Sequence, residues 1–273
     1  MDKRAIGVFD SGLGGLTAVR RLHALMPQEN IIYFGDTARV PYGVKSVATI
    51  EHFTQQIADF LLQQQVKVLI IACNTMAAVA SQVVKEKAGA IPVLDVIDAG
   101  ARAAVVESRS RAIGVIGTPT TVNSNAYARR MHGLDSGVRV YSQACPLFVP
   151  LVEEGWLEHE VTRLTAQEYL KPVLAENVDT LVLGCTHYPL LRPIIQNVMG
   201  KGVKLIDSGA ECARDISVLL NYFEINRSRE VEDKTEEYYT TASVLGFKEI
   251  AEQWLGEEVA VQHVDLDKEL END

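Results

Sequence analysis

Two doubly wound α/β units, the second a divergent copy of the first, are the fold this sequence predicts. Short all-apolar runs alternate with amphipathic stretches along the chain, the pattern of parallel strands covered by helices on both faces. The segment Arg4-Ala-Ile-Gly-Val8 returns 107 residues later as Arg111-Ala-Ile-Gly-Val115, and each copy runs into a polar loop, Asp10-Ser-Gly12 or Gly117-Thr-Pro119. Two further runs deliver a cysteine in the same way: Val66 to Cys73-Asn-Thr75, and Val178 to Cys185-Thr-His187.

In chain order, the first copy has strands near 5–9, 30–34, 66–72 and 91–94, with helices over 16–26, 46–64 and 76–88. The second has strands near 111–116, 137–141, 178–183 and 203–206, with helices near 121–132, 158–174, 189–198 and 209–222. Ile31-Ile-Tyr33 matches Arg139-Val-Tyr141, and Pro92-Val-Leu-Asp95 matches Lys204-Leu-Ile-Asp207. Four matches in one order, at offsets of 107 to 112 residues, favour an internal pseudo-two-fold duplication over shared strand composition. A charged stretch, Arg227 to Glu237, precedes a further strand and helix over Tyr238 to Leu255 that could complete either sheet. The acidic end, Asp265 to Asp273, is expected to fray. The expected domains are residues 1–97 with 208–273, and residues 98–207, with the site in the cleft between them.

A chain of 273 residues exceeds what one core usually organises, and 47% hydrophobic with 23% charged residues is ordinary globular composition. A net charge of −10, with both signs mixed along the chain, argues against nucleic acid or an anionic membrane as the main partner. The apolar stretch after Met-Asp-Lys-Arg is only Ala5 to Phe9, too short for a signal-peptide core, and no run approaches the length of a membrane helix. A cytoplasmic protein is expected. The four cysteines, at 73, 145, 185 and 212, lack CxxC spacing and are expected to be reduced, with Cys145 and Cys212 structural.

Open parallel sheets bind ligands at the carboxyl ends of their strands, where helix N-termini converge. Cys73 and Cys185 fall there, as do Asp10-Ser11, Thr118 to Thr121, Asn74-Thr75 and Thr186-His187. A thiol at a strand end and helix start is favoured as thiolate by exposed N–H groups and the helix dipole. Two such thiols on opposite sides of one ligand could take a proton from one face of a carbon and return one to the other, which is racemisation or epimerisation. Competing uses are weaker. Gly12-Leu-Gly14-Gly15 lacks both the dinucleotide glycine spacing and a P-loop lysine, so a tight turn with exposed N–H groups is expected there. Cys73, Cys185 and His187 lack a zinc-ligand spacing, and no metal is expected.

The chain resembles the cofactor-independent glutamate racemases of the aspartate/glutamate racemase superfamily. The resemblance rests on Phe9-Asp-Ser-Gly-Leu-Gly-Gly15, Gly35-Asp36-Thr37, Pro41-Tyr42-Gly43, Ala72-Cys73-Asn74-Thr75 and Gly184-Cys185-Thr186-His187-Tyr188-Pro189, in order over most of the chain. It implies interconversion of L- and D-glutamate for peptidoglycan, without cofactor or metal, in a homodimer. It also implies roles by position: Cys73 and Cys185 as the two proton carriers, Asp10 as the acid beside the first thiol, and His187 as the imidazole near the second. Ser11, Tyr42, Gly43, Asn74, Thr75, Thr118, Thr121 and Thr186 would join Asp10 and His187 in holding substrate, Tyr42 and Gly43 through backbone N–H groups. A further acid follows Ala144-Cys145-Pro146; Glu153 or Glu154 could match, with Glu153 favoured. A related racemase for aspartate or a hydantoin, or a non-catalytic amino-acid-binding module, would use the same architecture.

Overall fold

The computed structural model describes residues 2–228 and 234–266. Strands β1 (Ile6–Asp10), β2 (Ile31–Gly35), β3 (Val68–Ile71) and β4 (Val93–Asp95) are answered by β5 (Ala112–Gly117), β6 (Arg139–Ala144), β7 (Thr180–Gly184) and β8 (Lys204–Asp207); β9 (Glu236–Thr240) and β10 (Val261–His263) follow. One sheet runs β10-β9-β2-β1-β3-β4 and the other β6-β5-β7-β8, with every pair parallel. The order β2-β1-β3-β4 is therefore repeated as β6-β5-β7-β8. The repeated pentapeptides occupy the same place in each: Ile6 sits between Ile31 and Val68, and Ile113 between Val140 and Thr180.

The helices of the first copy are α1 (Leu16–Leu25), α2 (Val47–Gln63), α3 (Asn74–Ala88) and α4 (Val96–Glu107). Those of the second are α5 (Pro119–Asn123), α6 (Ala126–Leu134), α7 (Phe148–Glu153), α8 (Glu160–Ala175), α9 (Arg192–Met199) and α10 (Ser208–Tyr222), before α11 (Val244–Leu255). The last strand of each copy ends in an aspartate that caps the next helix: Asp95 accepts from the Asp98 N–H at 2.8 Å and Asp207 from the Ala210 N–H at 3.0 Å. The two helices so started, α4 and α10, pack on each other, as a two-fold relation between copies requires.

Helix α4 departs from the sequence reading, which assigned nothing between 94 and 111. Its buried residues, Val96, Ile97, Ala99, Gly100, Ala101 and Ala104, are mostly alanine and glycine, so the buried side contrasts only weakly with the polar side of Asp98 and Arg102. The helix expected over 121–132 is two, because Asn125 takes a left-handed conformation (φ 55°) that breaks the hydrogen-bond ladder after α5. The strand expected at 137–141 pairs over Arg139–Ala144 instead. The C-terminal strand joins the first sheet beside β2, and the unforeseen β10 extends that edge. Most of the acidic end, residues 267–273, lies outside the described residues.

The second sheet sorts its side chains by alternation. Ile113 and Val115 face the core shared with α4 and α10, while Ala112 and Ile116 face Leu170 and Val173 of α8. No described helix is long and apolar enough to cross a membrane.

Candidate active site

A cavity of about 440 Å³ lies where the carboxyl ends of the two sheets meet, within the usual range for small-molecule sites. Cys73, two residues beyond β3, lines it from the first copy, and Cys185, directly after β7, from the second. The ladder carries the first thiol to the edge: Ala72 still donates to the Phe9 carbonyl at 2.9 Å, and Cys73 then becomes the residue preceding α3. At Cys185 the chain turns at once, with the Tyr188 N–H donating to the Cys185 carbonyl at 3.2 Å and the Tyr188 hydroxyl to the Cys145 carbonyl at 2.8 Å. Cys145 is thus a buried support beneath the second loop. All four cysteines are free thiols.

Around Cys73 the groups are neutral or acidic. Its Sγ lies 3.4 Å from the Ser11 hydroxyl and faces the backbone N–H groups of Met76 and Ser11, with the Asp10 carboxyl close by. Burial pushes this thiol up to about 12, the Asp10 charge adds to the rise, and the Ser11 and Met76 donors only partly oppose it. At Cys73 desolvation therefore outweighs the donors at the helix start, and the shift is toward the thiol. Asp10 is itself raised above the usual carboxylate range, first by burial, against the pull of His187 and the Gly15 and Gly12 N–H groups. Its Oδ2 accepts from the Gly12 N–H at 3.0 Å.

Around Cys185 the charge is reversed. His187 Nδ1 lies 3.9 Å from Cys185 Sγ, and Nε2 lies 3.2 Å from Glu153 Oε1. Burial disfavours the charged ring, but the adjacent sulfur and the Glu153 carboxylate win and hold His187 up to about 10, so it is an imidazolium at neutral pH. Trp254 of α11 packs edge-on to the ring with centroids 6.0 Å apart.

The copies touch at both rims of the cavity. A Cβ on Gly14 would lie 2.1 Å from Thr186 Oγ1 and 2.6 Å from His187 Nδ1, so this glycine allows close approach between the copies as well as lying in the expected turn, where the Leu16 N–H donates to the Leu13 carbonyl at 3.0 Å. Thr17 Oγ1 fastens the same rim by donating to the Thr186 carbonyl at 2.9 Å. At the other rim a Cβ on Gly43 would meet Thr118 at 3.1 Å, Thr120 Oγ1 donates to the Gly43 carbonyl at 2.8 Å, and the Thr75 and Thr118 hydroxyls are 3.0 Å apart.

Of the residues expected in the site, Ser11, Tyr42, Gly43, Asn74, Thr75, Thr118, Glu153, Thr186 and His187 line the cavity with the two cysteines. Asp10 and Thr121 stand behind that wall. Asp10 backs Cys73 and Ser11, with its Oδ1 buried and without a partner among the described residues, and Thr121 supports Thr118 with hydroxyls 3.0 Å apart. Glu153 takes the position beside His187, with its Oε1 3.2 Å from Nε2. The Tyr42 hydroxyl is spent on Asp36, leaving its backbone for a ligand.

Residues unforeseen in the sequence complete the wall. Val149 and Pro150 come from α7, whose proline sits in the first turn, where no N–H is required. Asp36 anchors the loop of Val40 to Val44 by accepting from Arg39 Nε at 2.6 Å and from Thr241 Oγ1 at 2.8 Å. The C-terminal return thus supports one wall through Thr241 and His187 through Trp254. No lysine or arginine among the described residues lines the cavity. The described cluster with atoms close enough for an ion, His23, Glu236 and Glu257, lies outside it, and there each ring nitrogen faces a separate carboxylate.

Residues 16–216 match the model of the Asp/Glu/Hydantoin racemase family. The chain is 61% identical over 273 residues to a glutamate racemase of Streptococcus thermophilus, with both chains fully covered. It is 58% identical over 262 residues to that of Syntrophus aciditrophicus, covering 96% of each. Among solved structures it is similar to a glutamate racemase of Francisella tularensis in complex with D-glutamate, with a TM-score of 0.91 and 43% identity over 98% of this chain and 100% of that one.

Proposed function

The chain belongs to the Asp/Glu/Hydantoin racemase family, and within it we propose that this protein is a glutamate racemase working by proton transfer through Cys73 and Cys185. One observation carries the reading: two thiols, delivered by equivalent strands of duplicated units, line one cavity. A thiolate on one side takes the α-proton and becomes a thiol. The electron pair stays on the α-carbon, delocalised into its carboxylate, and the opposite thiol protonates the other face and becomes a thiolate. The product is the mirror image, and the two sulfurs have exchanged protonation states.

The surroundings of the two thiols support a choice of starting positions. Cys73, held up to about 12, begins as the acid. Cys185, with His187 Nδ1 3.9 Å from its sulfur, takes the part of base in that direction. When Cys73 later becomes the thiolate, its high value makes it a strong base for the reverse direction. Asp10 and Ser11 exchange protons with Cys73, and His187 with Cys185. Glutamate brings two carboxylates to a wall without lysine or arginine, so its anionic ends rest on the Asn74 amide, threonine hydroxyls and the N-terminus of α3. No cofactor or metal takes part in these steps.

The enzyme would supply D-glutamate for peptidoglycan in the cytoplasm. We propose further that it is a homodimer, consistent with the exposed Val218, Tyr222 and Phe223 on and just beyond α10, and that its domains divide at 97/98 and 207/208. Incubation with L-glutamate tests the activity: optical rotation should decay to zero. No decay would refute it, and faster decay with aspartate would reassign the substrate. Sedimentation as a monomer would refute the dimer.

A further inference from the structure

Asn74 and Tyr127 come from different copies, yet their side chains meet. Asn74 opens α3 beside Cys73, Tyr127 lies on α6, and each is 2% exposed. The Tyr127 hydroxyl donates to Asn74 Oδ1 at 2.7 Å. Asn74 Nδ2 is buried and has no partner among the described residues, on a residue that lines the cavity. A carboxamide can present either its oxygen or its NH2 group, and the neighbour that takes one end decides which faces the ligand. At the start of α3, backbone N–H groups already gather positive potential, so an NH2 there adds to an anion site whereas an amide oxygen would oppose it.

The tyrosine is held by its surroundings. A Cβ on Gly100 of α4 would lie 3.3 Å from the Tyr127 ring, and one on Gly184 would lie 3.1 Å from Tyr127 Cε2. Gly184 is the last residue of β7, immediately before Cys185. Tyr127 therefore rests its ring on one cysteine loop and its hydroxyl on the other. Burial raises that hydroxyl above its ordinary range, with Ser208 beside it opposing the rise, so it remains a donor at all working pH.

We propose that Tyr127 is a positioning residue: it fixes the Asn74 carboxamide with the NH2 group toward the substrate carboxylate and sets that donor relative to the Cys185 strand end. The proposal rests on the glutamate reading above. Its test compares the full-length protein with Tyr127→Phe, Asn74→Ala and the double variant, measuring the calorimetric Kd for L-glutamate together with KM and kcat. Tyr127→Phe removes only the oxygen, and thermal melting confirms that the variants are folded at the assay temperature.

The expected result is about a tenfold rise in Kd and KM in Tyr127→Phe, with kcat within about threefold, because the amide holds substrate and transition state alike. Adding Tyr127→Phe to Asn74→Ala should weaken binding by less than about twofold more, since the residue acted through the amide. An unchanged Kd in Tyr127→Phe, or effects that multiply in the double variant, would overturn the proposal. Wild-type protein that binds glutamate without racemising it would refute the functional reading, and the Kd comparison would still decide the role of Tyr127. Absence of glutamate binding would overturn both.

Discussion

At the end of β3 a sulfur faces a hydroxyl, two backbone donors and a buried carboxyl; at the end of β7 its counterpart faces an imidazolium backed by a carboxylate. The strands that deliver them are equivalent in order and register, so the difference lies in the residues around them. Asp10 at the end of β1 corresponds to Gly117 at the end of β5, which can offer no acid. Asn74-Thr75 corresponds to Thr186-His187, which can. Duplication thus supplied a symmetric backbone, while differences beside each thiol gave the two sulfurs different surroundings.

Removing either thiol should do most damage and treat the copies alike. Cys73→Ala and Cys185→Ala should each lower racemisation by about 10³-fold or more in both directions, because every turnover uses both sulfurs. A variant with near-normal turnover would break the symmetry between the posts outright. Next in size come the helpers. Asp10→Asn and His187→Gln should each cost about 10²-fold in kcat, but chiefly in opposite directions of the reaction. The equilibrium constant between enantiomers is one, so kcat/KM must stay equal in the two directions. The contrast therefore shows in kcat and KM taken separately, and equal losses of kcat both ways in both variants would mean that the helpers are interchangeable.

The rims sharpen the comparison through stability. Gly14→Ala forces a methyl against Thr186 and His187 and should cost about 1–3 kcal/mol, a melting shift of several degrees. Gly43→Ala meets Thr118 at a distance that a small shift relieves, and should cost less. Equal melting shifts would contradict the tighter seam on the Cys185 side.

The smallest effect concerns pH. His187 is held near 10 against an ordinary 6.5, so its favourable contribution to stability is full below about pH 6.5 and is lost as pH rises through 10. In Glu153→Gln that loss should begin at lower pH, and the alkaline limb of kcat should move down with it while activity at pH 7 changes only about twofold. A ring signal titrating at the same pH in both proteins, followed by NMR, would remove Glu153 from the account.

The duplication, both thiols and most of the cavity wall were legible because they sit in short repeated strands and polar loops whose pattern survives in one dimension. Helix α4 was not, since its buried side is mostly alanine and glycine and offers little hydrophobic contrast, and α7 was masked by brevity and Pro150. The upward shift of Cys73 also escaped a reading based on helix starts, because burial is a tertiary property. The support given by Thr241 and Trp254 is tertiary: nothing in residues 236–255 marks them as neighbours of Asp36 or His187.

Isotope partition tests the two-thiol account most directly. A thiol is monoprotic, so the hydrogen taken by one sulfur can return only as it came, while the other sulfur delivers a solvent hydrogen. In the first few per cent of reaction of L-glutamate in deuterated water, D-glutamate should carry deuterium at the α-carbon and the remaining L-glutamate should carry almost none. Equal early labelling of substrate and product would mean that one exchanging base serves both faces, and would contradict the assignment of Cys73 and Cys185 to opposite sides.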